Sequence, residues 1–530
     1  MGVNAGTTEG APAPARAARS APPAAPTTLT IILVGAAVRI LLAALIPPVP
    51  DETYYWEWSR RLAGGYFDHP YGIALSVRAG TTLFAALGLD ASPLAIRIVP
   101  VLQGVVASFM VVGIARRIGG PVAGLRAAIV ITVLPLAATG LVLATPDAPL
   151  LAATGVTLYA IVRAIQSPRG SLASLGWWIV AGAAAGAAMA SKYTAILVPA
   201  AVFVALAARP ALRRRLAEPG PYAACAVAAL VVMPVLVWNA NHDWMSFGFQ
   251  LRHGLAGRAR GTPIGRALEM IGGQAALVSP ILFVLLGAAV WRAVRRPRCD
   301  ERFLLAVVAT FAFGVFVLSA LRKPVEANWP ALAYVPAVPL LADAAFGERG
   351  WRWFRAGWAL AAALTLVIYA HAVASILPIP ARKDPIARSA GWDVLARATD
   401  ATRDSLAARL AGSRRSVHVG AERYQDASEL AFHMRGKPRT LSLNLVGRRN
   451  QYDLWPGFAR VAAPGDALVL VLDDTETIHP TLRRLEGHFA DARRGAAIEL
   501  RARRGVVARR RLWTLLGWGG SWPAPVPPPG

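Results

Sequence analysis

Residues 28–58 read TLTIILVGAAVRILLAALIPPVPDETYYWEW, an apolar stretch that is followed directly by a cluster of acidic and aromatic residues. The apolar part, residues 28–46, is close to the about 20 residues that an α-helix needs to cross a bilayer. A cleavable signal peptide is the alternative, but no small-residue cleavage site precedes the Pro47-Pro48 break. The stretch therefore predicts an uncleaved first membrane span that leads into a polar outer loop.

The whole chain has the composition of a membrane protein. Of its 530 residues, 55% are hydrophobic and 16% are charged, whereas soluble domains carry about 25% charged residues. Two cysteines and the absence of a short repeat argue against a disulfide-rich, collagen-like or coiled-coil protein. The net charge of +26 does not indicate a nucleic-acid partner, because its arginines lie in clusters between apolar runs. This arrangement is typical of cytoplasmic loops between membrane spans.

We predict a polytopic α-helical membrane protein of about 11 spans, near residues 28–46, 96–115, 121–142, 148–166, 175–190, 194–208, 221–238, 274–291, 303–320, 328–344 and 354–377. With a cytoplasmic N-terminus, this number places the arginine-rich loops on the cytoplasmic side. Residues 72–88 are apolar but short, and counting them as a span would move Arg116 and Arg117 outside. We therefore predict an interfacial or re-entrant segment there, and a twelve-span arrangement stays open.

The predicted domains follow from changes in composition along the chain. Residues 1–27 are rich in Ala and Pro and are expected to form a disordered cytoplasmic tail, and residues 28–377 form the transmembrane domain. Residues 378–518 lack a long apolar run and are expected to form a small periplasmic α/β domain, with strands near 416–419 and 467–472 and a helix near 427–433. The Pro-rich residues 519–530 are expected to be disordered.

Carboxylates in the first predicted outer loop are candidates for catalysis. Asp51 and Glu52 open the motif DETYYWEW, and Asp68 and His69 lie in YFDHP. Capping of a short helix and a polar turn would explain them without a function. However, carboxylates next to a span are costly unless they face a hydrated cavity, where one can take a proton from a hydroxyl or amine.

Further polar residues lie at the predicted outer ends of later spans. They are Asp147 in TPDAPL, Lys192 in SKYTA, and Arg322, Lys323 and Glu326 in RKPVEANWP. Asp147 has a structural alternative as a helix cap, and each cation has one as a side chain that extends to the interface. Together, however, they predict a binding site for an anionic lipid headgroup.

An amphipathic segment follows the seventh predicted span. Residues 238–254 read WNANHDWMSFGFQLRHG, with aromatic and polar side chains interleaved. This pattern predicts a helix that lies on the membrane surface. In a functional interpretation, the same helix covers a lipid tail or a sugar.

The motifs quoted above, together with GAERYQDASELAFHM and NLVGRRNQYDLW near the C-terminus, resemble bacterial glycosyltransferase family 39. This family includes relatives of the protein O-mannosyltransferases and of the lipid A aminoarabinose transferase. The resemblance covers most of residues 28–380 and extends into the C-terminal domain. It implies a C-type glycosyltransferase fold and a polyprenyl-phosphate sugar as the donor.

The resemblance also implies roles for individual residues. Asp51 matches the catalytic acidic residue of the first outer loop, with Glu52 beside it, and Asp147 matches the second outer carboxylate. Asp68 and His69 fall where relatives hold the donor phosphate, although Tyr71 replaces a proline that relatives often have. Lys323 matches the cation ahead of a late span.

The resulting hypothesis is an enzyme of the bacterial inner membrane. It transfers one hexose or pentose from a polyprenyl-phosphate donor to a lipid, glycan or protein acceptor at the periplasmic face. Asp51 acts as general base, and Lys192, Arg322 and Lys323 stabilise the leaving phosphate. A lipid or glycan transporter or flippase is the alternative, and an envelope assembly or sensor protein is a third class. No cofactor is predicted, since the histidines show no metal-ligand spacing. A divalent metal stays possible.

Overall fold

The computed structural model describes residues 24–255, 261–475 and 478–524. Most of the predicted N-terminal tail, up to residue 23, and the end of the predicted C-terminal tail, from residue 525, lie outside these ranges. The first helix begins at Ala24, four residues before the predicted start of the first span.

Helices make up the first three quarters of the described chain. They are α1 (Ala24–Leu45), α2 (Pro50–Ser59), α3 (Gly72–Ala86), α4 (Pro93–Val133), α5 (Pro135–Gly140), α6 (Asp147–Gln166), α7 (Leu172–Met189), α8 (Leu197–Ala208), α9 (Pro210–Arg213), α10 (Pro219–Ala240), α11 (Met245–Leu255), α12 (Pro263–Val278), α13 (Pro280–Arg295), α14 (Asp300–Ala320), α15 (Ala331–Ala342) and α16 (Glu348–Ala374).

Several of these helices can cross a membrane. In the described ranges, seven are long and apolar enough, namely α1, α4, α6, α7, α10, α14 and α16. Two bent helix pairs, which involve α8 with α9 and α12 with α13, raise the number to nine. Helix α4 is interrupted at Gly120, whose φ of 77° is non-helical, and thereby contains one predicted span and the start of the next. The protein is therefore a membrane protein, and the number of eleven spans stays a prediction.

Three predicted spans differ from the helices in the structure. The segment 274–291 is broken at Ser279, whose φ is +80°, and the direction of the helix changes by 105° at this point. The segment 121–142 is interrupted after Val133, because Pro135 has no N–H to continue the hydrogen-bond ladder. The segment 328–344 forms only the short helix α15, which is buried on all sides. Apolar composition alone does not reveal these breaks.

The C-terminal part forms an α/β domain. Its elements are α17 (Trp392–Arg409), β1 (Val417–Ala421), α18 (Tyr424–His433), β2 (Leu441–Ser442), α19 (Phe458–Val461), β3 (Ala467–Asp473), α20 (Pro480–Leu485), β4 (Phe489–Ala502) and β5 (Gly505–Trp518). Both predicted strands and the predicted helix are confirmed.

The five strands form one mixed sheet in the order β2-β1-β3-β5-β4. Strand β1 is parallel to β2 on one side and to β3 on the other, and β3 is antiparallel to β5. Strand β3 is apolar along nearly its whole length and buried, as expected for a central strand covered on both faces. The long hairpin of β4 and β5 completes the sheet.

The α/β domain shares a hydrophobic core with the first predicted outer loop. Helix α2 is buried from Glu52 to Ser59. Trp56 of α2 makes an edge-to-face contact with Phe432 of α18, with ring centroids 5.2 Å apart. Tyr54 packs against Tyr424 at 4.4 Å. The loop that carries the predicted catalytic acids is therefore enclosed between the membrane helices and the α/β domain.

A buried ion pair fixes the start of this loop. The Arg97 guanidinium donates to both carboxylate oxygens of Glu52, at 2.7 and 2.5 Å, and neither side chain is exposed. Arg97 also donates to the carbonyls of Ala43, Ile46 and Pro47, which lie at the end of α1 and just beyond it. In this way α4 satisfies both the carbonyls at the end of α1 and the charge of α2.

Replacing Arg97 with Met should strongly destabilise the protein. Loss of one partner from a buried ion pair costs about 3–5 kcal/mol, because the other charge is left without compensation. The melting temperature in lipid nanodiscs measures this effect, and adding Glu52→Gln should recover part of the loss. Arg169→Met is the control, since the Arg169 side chain is half exposed and its partner Glu218 keeps a second ion pair with Arg215, so that a smaller loss of about 0–1 kcal/mol is expected. Equal shifts for Arg97→Met and Arg169→Met would contradict the assignment.

Candidate functional site

A cavity of about 1040 Å³ lies between the membrane helices and the α/β domain, and we call it the main cavity. Part of its wall is apolar and belongs to α14 and to the start of α8. This part includes Ile196 and Leu318, whose exposed fractions are 55% and 62%. Polar and charged side chains form the rest. The cavity can therefore hold a molecule that has both a lipid chain and a polar headgroup.

Seven of the nine predicted site residues line the main cavity, namely Asp51, Asp68, His69, Asp147, Lys192, Arg322 and Glu326. They come from four separate parts of the sequence, so the expectation that early acids and later bases converge agrees with the structure. Glu52 and Lys323 are not among the lining residues.

The side chain of Asp51 is exposed and lines the main cavity, where protein atoms surround it on most sides. Burial raises the pKa of its carboxyl group, and the nearby charge of Asp68 raises the pKa further, while Arg448 acts in the opposite direction. The hydrogen bonds and ion pairs of the described residues include none to its side chain. Asp51 is thus a carboxylate that is available to a substrate, with an increased affinity for a proton.

Glu52 and Lys323 have surroundings that differ from the prediction. The carboxylate of Glu52 is occupied by Arg97 and by the backbone N–H groups of Ala144 and Val49, at 2.7 and 2.9 Å. A direct catalytic role for Glu52 does not fit this arrangement. The ammonium of Lys323 lies 5.7 Å from the ring centroid of Trp329, and burial lowers its pKa. The sequence does not reveal which of two adjacent charged residues faces a cavity.

Asp147 and Lys192 form a buried pair in the cavity wall. The Lys192 ammonium donates to one carboxylate oxygen of Asp147 at 2.7 Å, and the Asn328 amide donates to the other at 2.5 Å. This contact joins the start of α6 to the segments that follow α7 and α14. Asn328 lies in the motif RKPVEANWP, but the sequence alone does not indicate this contact. Lys192 retains further N–H donors for an anion in the cavity.

Asp68 connects the first loop to the α/β domain. One carboxylate oxygen accepts from the Arg448 guanidinium at 2.9 Å, and the other accepts from the Tyr54 hydroxyl at 2.8 Å. The Tyr54 oxygen in turn accepts from the backbone N–H of Gln451 at 2.7 Å. Burial raises the pKa of Tyr54 well above its usual value, so the hydroxyl keeps its proton for Asp68.

Two residues of the α/β domain complete the cavity wall and were missed from the sequence. Tyr424 and Arg448 both line the main cavity, and the Arg448 guanidinium donates to the Tyr424 hydroxyl at 3.2 Å. Burial opposes the charge of Arg448, but the Asp68 carboxylate raises its pKa above the usual value, so Arg448 stays protonated. Both residues lie in C-terminal motifs that support the family resemblance. This position was the only indication in the sequence that they could belong to the site.

Helix α11 covers one side of the main cavity. The Gln250 amide donates to the backbone carbonyl of Asp68, and Phe249 packs against Phe67 with centroids 4.9 Å apart. Phe247 packs against Tyr193 at 4.7 Å. These contacts hold α11 against the first loop and the segment before α8, and its role as a cover over a ligand stays a prediction.

The arrangement of the histidines and carboxylates among the described residues bears on metal binding. His69 lines the main cavity, with its ring 6.3 Å from that of Tyr55. Within residues 24–255, 261–475 and 478–524, no group of three or more His, Cys, Asp or Glu side chains is arranged to hold a metal ion.

Comparisons with known proteins identify relatives of this chain. The family model described as dolichyl-phosphate-mannose-protein mannosyltransferase matches residues 68–238. The lipid A galacturonosyltransferase RgtD of Rhizobium johnstonii is 30% identical over 298 residues, which are 54% of this chain and 58% of RgtD. The predicted resemblance to glycosyltransferase family 39 is confirmed. The match spans a little over half of the length of this curated relative.

The family 39 resemblance extends to the three-dimensional fold. The crystal structure of ArnT from Cupriavidus metallidurans in the apo state matches with a TM-score of 0.62 and 16% identity, and it covers 92% of this chain and 98% of ArnT. The structure of the same protein bound to undecaprenyl phosphate matches with a TM-score of 0.61 and 16% identity, over 92% and 97% of the two chains. The protein has the C-type glycosyltransferase fold, with its small C-terminal domain included.

Replacing Tyr54 with Phe should loosen the loop that carries Arg448. The change leaves the Gln451 N–H without its acceptor and removes one donor to Asp68, and a buried unsatisfied group costs about 1–3 kcal/mol. We expect faster hydrogen exchange at the amide of Gln451 and a lower melting temperature. Tyr222→Phe is the matched control, because the hydroxyl of Tyr222 lies on an exposed surface. Unchanged exchange at Gln451 would contradict the proposed contact.

Proposed function

We propose that the protein transfers a single sugar from a polyprenyl-phosphate donor to an envelope acceptor at the periplasmic face of the membrane, with Asp51 as the general base. The observation that carries this proposal is the available carboxylate of Asp51 in a cavity that also contains Lys192 and Arg322. Asp68 and Asp147, by contrast, use both carboxylate oxygens in contacts within the protein.

The chemistry follows from these charges. The acceptor oxygen or nitrogen attacks the anomeric carbon, the bond from that carbon to the phosphate oxygen breaks, and Asp51 takes the proton of the acceptor. The leaving polyprenyl phosphate gains a negative charge, which Lys192 and Arg322 stabilise. Attack from the side opposite the phosphate inverts the configuration at the sugar.

The nature of the donor is supported by the apolar wall of the main cavity. Ile196 and Leu318 expose apolar surface there, as a polyisoprenoid chain requires. ArnT, which has the same fold, has been solved with undecaprenyl phosphate bound. We assign the lipid chain to this wall and the donor phosphate to the adjacent cations Lys192 and Arg322.

The acceptor is proposed to be a glycolipid of the lipid A class. RgtD, which matches the chain over 298 residues, acts on lipid A. The C-terminal domain is well placed to meet the acceptor, since Tyr424 and Arg448 extend from it into the main cavity.

A transporter is less well supported by the positions of the charges. A transporter, which is the alternative function left open by the sequence, requires ionisable residues that line a path through the spans. Arg39 lies within α1, but it is 2% exposed and does not line the main cavity. The charged residues that line the main cavity lie instead at the ends of helices, next to the α/β domain.

Asp51→Asn should lower the rate of sugar transfer by about 10²–10⁴-fold, because the amide cannot accept the proton. Transfer from undecaprenyl-phosphate sugar to lipid A is measured with the purified protein in nanodiscs. Asp90→Asn, which changes an exposed carboxylate that does not line the main cavity, is the control. A folded Asp51→Asn variant that keeps the wild-type rate would disprove the assignment of Asp51.

The orientation is tested with single cysteines in a chain that lacks Cys225 and Cys299. Ser413→Cys lies on the exposed surface of the α/β domain and should react in intact spheroplasts with a thiol reagent that does not cross membranes. Arg298→Cys, in a predicted cytoplasmic loop, should react only after the membrane is opened. The reverse pattern would place the α/β domain in the cytoplasm and exclude a periplasmic site.

A further inference from the structure

A second cavity, of about 320 Å³, lies in the α/β domain, and we call it the strand-end cavity. Its wall is formed by residues that directly follow β1 and β2, together with Leu472 and Asp473 at the end of β3 and His479 beyond it. These are the carboxyl ends of three neighbouring parallel strands.

The connections of the strands create this cavity. From β1 the chain passes through α18 to β2 on one side of the sheet, and it then returns to β3 on the other side. The connection that leaves β1 leads to β2 on one side, whereas the connection that leaves β3 leads through α20 to β4 on the other side, which opens a crevice between the carboxyl ends of β1 and β3. In open α/β sheets, ligands bind in the crevice at such a point.

Two side chains belong to the walls of both cavities. Tyr424 and Arg448 line the main cavity and also the strand-end cavity. A molecule that is bound in the strand-end cavity is therefore next to the main cavity, where Asp51 lies. This position suits an acceptor, whose reactive group must reach Asp51 while its remainder is held elsewhere.

The strand-end cavity offers positively charged hydrogen-bond donors. The Arg448 guanidinium donates to Asp68, to Tyr424 and to the carbonyl of Arg449, and it carries more N–H groups than these three partners use. Arg423 is exposed, and its side chain has no ion pair or hydrogen bond in the part of the chain that the structure describes.

The acidic residues of this cavity are largely occupied by other parts of the domain. Glu422 accepts from the Val446 N–H at 2.9 Å and from the Thr481 hydroxyl at 2.7 Å. Asp426 accepts two hydrogen bonds from Arg510, at 2.8 and 3.2 Å, and Asp473 pairs with the same guanidinium. The unused hydrogen-bonding capacity is therefore mainly that of the arginines.

We propose that the strand-end cavity is a subsite for the acceptor, in which Arg423 and Arg448 bind a phosphate or carboxylate of an anionic saccharide headgroup. The proposal rests on the proposed function, because it assumes that an acceptor meets the donor in the main cavity. It adds the chemical class of the acceptor headgroup and the residues that select it.

The test uses the full-length protein in nanodiscs and a soluble probe, the bisphosphorylated glucosamine disaccharide that remains after lipid A is fully deacylated. Isothermal titration measures its binding to the wild type, to Arg423→Glu and to the control Arg449→Glu, which changes an exposed arginine beside Arg448 that lines neither cavity. We expect Arg423→Glu to weaken binding roughly tenfold or more. The control should bind like the wild type, and the dephosphorylated disaccharide should bind weakly to all three proteins.

Three results would overturn the proposal. The first is wild-type affinity of Arg423→Glu for the bisphosphorylated disaccharide. The second is an equal loss in Arg449→Glu, which would indicate general charge attraction. The third is weaker binding of undecaprenyl phosphate to Arg423→Glu, which would assign the cation to the donor. Arg423→Gln replaces Arg423→Glu if the melting temperature of the latter is lowered.

This test is independent of the test of the general base, because binding of the disaccharide requires no transfer. An active Asp51→Asn variant would overturn the proposed chemistry and leave the measured binding unchanged. Conversely, a normal affinity of Arg423→Glu would overturn the subsite and leave the role of Asp51 intact.

Discussion

The buried ion pair of Arg97 with Glu52 is the contact on which the geometry of the site depends. Two charges without access to water are stable only when their hydrogen bonds are satisfied, and here the partners are the carboxylate, three carbonyls and two backbone N–H groups. These groups belong to α1, α2, α4 and the turn before α6. The pair therefore fixes four elements relative to one another, and it fixes the direction of the neighbouring Asp51.

The adjacent carboxylates of Asp51 and Glu52 have different surroundings. On a helix, consecutive side chains point about 100° apart, so Glu52 faces the interior while Asp51 faces the main cavity. The first is neutralised by Arg97, and the second keeps its oxygens available. Asp68 and Asp147 are intermediate cases, since both line the main cavity but bind cations of the protein itself.

Much of the fold was predictable because its determinants are local. Long apolar runs predicted the membrane helices, and the apolar stretch near Ala467 predicted a strand. Seven of the nine predicted site residues line one cavity, because their motifs lie at the ends of helices that meet there. The break at Ser279 was not predictable, because the apolar run continues through it. Of the two adjacent predicted cations, Arg322 lines the main cavity and Lys323 does not, a difference that depends on the local backbone.

Contacts between distant parts of the chain were the main feature of the site that could not be predicted from the sequence. Arg448 binds Asp68 across 380 positions, and no local pattern relates the two residues. The burial of Arg97 was also not predictable from the sequence, because a single arginine at the end of an apolar run usually extends to the interface. The motifs around Tyr424 and Arg448 did indicate a resemblance to the family, but they did not indicate contact with the first loop.

The wall shared by the two cavities has a consequence for how such proteins diversify. Under the proposed acceptor subsite, a C-terminal domain taken from a relative would bring its own headgroup preference, but it would fit only if it supplied an arginine at position 448 for Asp68 and a side-chain acceptor at position 451 for the N–H of Phe67. Recombination at the boundary of the α/β domain is therefore constrained, and new acceptor preferences are expected to arise by single substitutions in the loops that follow β1 and β2.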